Sequence, residues 1–189
     1  MLHTPASVRR FLGRRLLDHL YAASGVLAAV CLAAICLVML AQAFGRTAGI
    51  LFRGADDIVA WLCAAAAFLA LGHTFRHGEL VRVGLWLHRL KPRARWIAEI
   101  VALTLTALFV GYMLWAASRF VYESWAFKEV AQGLIRVPIW IPQLSFVAGV
   151  VIFFIAVLDE LILVLKKQKP SYQVAEEARI AAGDFSETV

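Results

Sequence analysis

The sequence predicts an all-α integral membrane protein of four transmembrane helices with both termini on the cytoplasmic side. Three observations predict it. The chain is 62% hydrophobic and 17% charged over 189 residues, with a mean hydropathy of +0.76; soluble domains are about 45–50% apolar. Its charges cluster, which leaves four long uncharged runs. Lys and Arg then fall mostly on one side of those runs, as cytoplasmic loops require. The whole chain, 1–189, reads as a single membrane domain.

The first span is expected at 20–45. The run is too long for the apolar region of a signal peptide, which is about 7–15 residues. It supplies the roughly 20 apolar residues that a spanning helix needs. Ala41-Gln42-Ala43 resembles a cleavage site, but a retained helix is the expectation. The second span is expected at 57–75, opened by Asp56 and Asp57. Acidic residues suit a helix N-terminus, where unpaired N–H groups carry positive partial charge. The third span is expected at 97–119, around the uncharged run 100–118 that Glu99 and Arg119 bound, and the fourth at 143–165, before Lys166. Pro142 stands near its first turn, where no intrahelical donor is lost.

Orientation follows from the basic residues. The N-terminal tail, the loop after span two and the C-terminal tail hold four, six and four Lys or Arg. The two other loops hold five: Arg46 and Arg53 in one, Arg119, Lys128 and Arg136 in the other. The excess places both termini inside. It also accounts for the net charge of +6 without nucleic acid, since no basic soluble module remains outside the spans. Two basic segments read as helices lying on the membrane surface. One is 1–19, where Val8, Leu12, Leu16 and Leu20 recur beside four arginines; the other carries Leu80, Val83, Leu87 and Leu90 between spans two and three. Residues 166–189 form a polar cytoplasmic tail.

The span centres hold almost no ionisable groups. A carrier of polar solutes usually has such groups or interrupted helices at mid-membrane. Small residues recur instead at helical spacing: Gly25, Ala29 and Ala33 in span one, Ala60 and Ala64, then Ala66 and Ala70, in span two. Such stripes let helices approach closely in lipid. The pattern therefore points to a subunit that meets a partner in the membrane. Arg46 and Arg53 stand opposite Asp56 and Asp57 across one short loop, placed either to hold a partner or to pair locally. Trp61, Trp96, Trp115, Trp125 and Trp140 lie near span ends or in the third loop, as an aromatic belt does.

Other chemistries lack their residues. Cys31, Cys36 and Cys63 form no CxxC pair, and no metal site is expected. A membrane anchor of a redox enzyme is the alternative class, but haem between helices needs an axial ligand on each side. His73 and His77 are four apart, a spacing that would put them on one helix face, while spans one, three and four offer no histidine. An intramembrane hydrolase needs a facing dyad; Asp159 and Glu160 are adjacent and diverge. No catalytic, substrate-binding or metal residue is assigned, and no cofactor.

Four motifs carry a family resemblance. Phe44-Gly45-Arg46-Thr47 places an Arg just past span one. Asp56-Asp57-Ile58-Val59-Ala60-Trp61-Leu62 opens span two with an acidic pair. Leu71-Gly72-His73-Thr74-Phe75-Arg76-His77-Gly78-Glu79-Leu80-Val81-Arg82-Val83 runs span two into a basic segment. Gly133-Leu134-Ile135-Arg136-Val137-Pro138-Ile139-Trp140-Ile141-Pro142-Gln143 approaches span four. In order and spacing, over residues 20–165, the chain resembles the small permease subunit (DctQ type) of tripartite ATP-independent periplasmic (TRAP) transporters. Family members often carry a His near the position of Glu79, whereas here the histidines come earlier.

The resemblance implies a bacterial inner-membrane protein that is not an enzyme. It implies a large permease subunit holding the substrate and coupling-ion sites, typically for sodium. It also implies a periplasmic binding protein that delivers organic acids such as dicarboxylates. Candidate contacts with the large subunit are Gly25, Ala29, Ala33, Arg46, Asp56, Asp57, Ala60, Trp61 and Ala64. Candidate docking residues for the binding protein are Lys128, Arg136 and Trp140.

Overall fold

Apolar runs of this length have no water at mid-membrane to satisfy their amides, so they close into helices. The computed structural model describes the backbone of residues 6–50, 52–77 and 92–166, with side chains over 17–50, 52–76 and 93–166. Within these residues stand α1 (Ala6–Thr47), α2 (Ala55–His77), α3 (Pro92–Ala126) and α4 (Trp140–Leu165). Each is long and apolar enough to cross a membrane. No strand occurs among the described residues beyond one isolated bridge, Val130 to Pro138.

The helices outrun the expected spans. α1 has 42 residues, about 63 Å at 1.5 Å per residue, roughly twice a hydrocarbon core of about 30 Å. The basic stretch from Ala6 is thus continuous in backbone with the first span. α3 starts at Pro92, a favoured first helical residue, and runs to Ala126. Charges end a span but do not end a helix. Arg95 pairs with Glu99 at 3.2 Å and Arg119 with Glu123 at 2.9 Å, both one turn apart, which supports helix through both charged ends. The second basic stripe, Leu80 to Leu90, and the tail from 167 lie outside the described residues.

The helices pack side by side in the order α1, α2, α4, α3, with a small direct contact between α1 and α4. α1 buries Tyr21, Ser24, Ala28 and Cys31, a spacing of three and four that keeps one stripe on α2. Ala65, Ala66 and Leu69 of α2 receive Ala28 and Cys31. Between α2 and α4 two aromatic pairs meet edge to face: Phe68 with Phe146 at 4.2 Å, and Phe75 with Phe153 at 5.4 Å. The backbones come closest at Gly149, where a Cβ would stand 2.5 Å from the Phe68 carbonyl carbon. α3 lies on α4 through Leu103 and Ala107, and Trp96 Nε1 donates to the Val164 carbonyl at 3.0 Å.

Candidate functional site

The polar contacts gather at the two ends of the helix layer. At the loop end, Gly54 (φ +87°) turns the chain into α2, a left-handed geometry that glycine adopts freely. Asp56 and Asp57 follow in the first turn and diverge. Asp56 Oδ1 accepts from Gln42 Nε2 of α1 at 3.1 Å. Asp57 Oδ2 accepts from the backbone N–H of Leu134 at 2.8 Å and of Ile135 at 3.4 Å. Of the two readings open for Arg46 and Arg53, local pairing is not what forms. Both are exposed and make no ion pair among the described residues.

The loop between α3 and α4 is a short hairpin. Ala131 N–H donates to Val137 O at 2.9 Å and Ile139 N–H to Glu129 O at 3.1 Å. Its base is set by the end of α3. Lys128 takes φ 53°, while its N–H reaches Trp125 O and the Glu129 N–H reaches Ser124 O. This is a Schellman arrangement with lysine at the position glycine usually holds. Lys128 and Arg136 are both exposed, at base and tip; Trp140 is half-buried at the start of α4. Phe127 and Leu134 are 76% and 72% exposed, so the loop shows apolar surface as well as its two cations.

At the opposite end, Arg76 of α2 pairs with Asp18 of α1, and its guanidinium lies 4.9 Å from the Tyr21 ring centre. His73 Nδ1 lies 3.3 Å from the Tyr21 carbonyl oxygen. That oxygen can only accept, so the contact calls for a proton on Nδ1. Glu160 of α4 is buried, at 2% exposed. Sequence reasoning missed this cluster. One signal was present: Asp18 is the only acid in the first 55 residues.

Along the membrane faces the small residues separate. Gly25 is turned inward, and a Cβ there would stand 2.9 Å from the His73 ring. Ala29, Ala33, Ala60 and Ala64 are exposed, and Trp61 is half-buried. The inward stripe of α1 runs instead through Ala28 and Cys31. Among the described residues no three His, Cys, Asp or Glu side chains gather as a metal site would require.

An all-helical layer of four helices long and apolar enough to cross a membrane, with its polar contacts at the ends, defines a multi-pass membrane protein. The chain belongs to the DctQ component family of tripartite ATP-independent periplasmic transporters, whose family model matches residues 35–167. It is the small membrane subunit of such a transporter, and membership implies a large permease subunit and a periplasmic binding protein as partners. No curated protein matches the chain.

Proposed function

We propose that this subunit is a non-catalytic scaffold for the large permease subunit. It sits in the bacterial inner membrane with both termini cytoplasmic, among lipids that fill the faces no protein covers. The large subunit carries the substrate and coupling-ion sites, with sodium as the ion and organic acids of the C4-dicarboxylate type as cargo. No cofactor serves the subunit. The observation that carries this reading is the open face of α2. Ala60 and Ala64 are exposed while Ala65 and Ala66, which follow directly on the helix, are covered by this chain's own helices. In lipid, small residues are favoured where another backbone comes close. Ala29 and Ala33 of α1 extend the open small-residue surface, and Arg46 with Asp56 marks its loop end.

The hairpin between α3 and α4 seats the binding protein, by the basic pair Lys128 and Arg136 with Trp140 at its root. Acidic groups on the partner complement this surface, which steers encounter more than it sets affinity. Leucine at Ala60 or Ala64 should reduce co-purification of the large subunit while the isolated chain stays folded. Undisturbed assembly and uptake in both variants would remove this interface. Acidic substitutions at Lys128 and Arg136 together should slow association of the binding protein, and an unchanged rate would remove the docking reading.

A further inference from the structure

We propose that Asp57 is a positioning residue that latches the α3–α4 hairpin in one conformation and thereby fixes Arg136 for docking; this rests on the docking reading above. Main-chain bonds between the two arms of the hairpin lie near its base, at Glu129–Ile139 and Ala131–Val137, and within the tip the Val137 N–H donates to Ile135 O at 3.1 Å. The tip amides of Leu134 and Ile135 turn away from the hairpin and donate to the Asp57 carboxylate on α2. Arg136 follows directly, so its backbone is tied to the helix layer through its neighbour.

The latch is built from both sides. At Gly133 a Cβ would fall on the Asp57 carboxylate itself, so only glycine leaves the acid room. At Gly54 a Cβ would stand 2.5 Å from Ile135 Cγ1. Asp57 lies in the first turn of α2, where the helix dipole favours its negative charge. Its neighbour Asp56 is held by Gln42 of α1. One acidic pair thus joins the end of α1, the start of α2 and the hairpin tip. A preset tip lowers the ordering cost of binding, and its charge meets a partner in one register.

The test uses the chain assembled with its large subunit in nanodiscs, with Asp57→Ala and Gly133→Ala as independent ways to open the latch. Two readouts are taken: hydrogen exchange of the Leu134 and Ile135 amides, and the association rate of the binding protein. Loss of charge-assisted bonds should speed exchange at both amides at least about tenfold. Association should slow by roughly threefold or more while the two-subunit complex stays intact. Unchanged exchange in both variants overturns the latch. Faster exchange with an unchanged association rate overturns its service to docking. The Lys128→Glu, Arg136→Glu double variant separates the two ideas. If it slows association and the latch variants do not, docking stands and this proposal falls. If it has no effect, the docking reading fails and takes this use of the latch with it, whatever the exchange shows.

Discussion

Replacing Gly149 by alanine tests how α2 and α4 hold together. The added Cβ would stand 2.5 Å from the Phe68 carbonyl carbon, 2.6 Å from its oxygen and 2.7 Å from its Cβ. Carbon atoms rest about 3.5–4.0 Å apart, so the two backbones must part by roughly 1 Å. The obstacle is main chain, and no rotamer change relieves it. A radial gap of that size forfeits a quarter to a half of each dispersion contact along the seam, including the Phe68–Phe146 pair. Overpacking of this kind costs about 1–3 kcal/mol. In lipid the packing itself holds helices together, with no water-driven term to compensate. Gly111→Ala is the control, because a Cβ there meets only the Phe154 ring, at 3.3 and 3.6 Å. Any helix gain from replacing glycine, about 1 kcal/mol, is common to both variants, so their difference isolates the clash. Unfolding in mixed micelles by a denaturing detergent gives the free energies. Gly149→Ala should be the less stable by at least about 1 kcal/mol. Equal stability of the two would refute the close approach.

The remaining predictions concern the helix ends. Lys128→Gly should raise stability, because lysine holds a left-handed φ of 53° at a cost of about 1–2 kcal/mol; the same variant should weaken docking through the lost charge, and a fall in stability would contradict the capping account. Arg76→Gln should destabilise more than Asp18→Asn. The arginine serves both the ion pair and the Tyr21 ring, whereas half-exposed ion pairs contribute about 1 kcal/mol or less. Unfolding titrations of both variants give the ranking, and equal losses would show that the ring contact adds nothing.

Hydropathy and arginine placement made the helical membrane class readable, because length and the absence of charge dictate a spanning helix directly. Helix ends were less readable. Glu99 and Arg119 read as boundaries, yet each has a partner one turn away that continues the helix. The small-residue stripes were read by spacing alone, which cannot say which face looks inward. Gly25 turned in while Ala29 and Ala33 stayed out, since a spacing of four drifts off a seam that needs threes and fours. Gly149 went unremarked, because one glycine in a β-branched run carries no pattern. Asp57 read as a helix-dipole acid, and its reach to Leu134 spans 77 residues, a distance that no local pattern encodes. Arg76 with Asp18 was hidden in the same way, by a partner on another helix.

The most direct test of the account is native mass spectrometry of the chain co-expressed with its large permease subunit, released from detergent. A scaffold subunit with open small-residue faces should appear in a stoichiometric complex with the large subunit, and the Ala60→Leu, Ala64→Leu double variant should shift the population toward free chains. Detection of the wild-type chain only on its own, with the large subunit equally intact without it, would contradict the account.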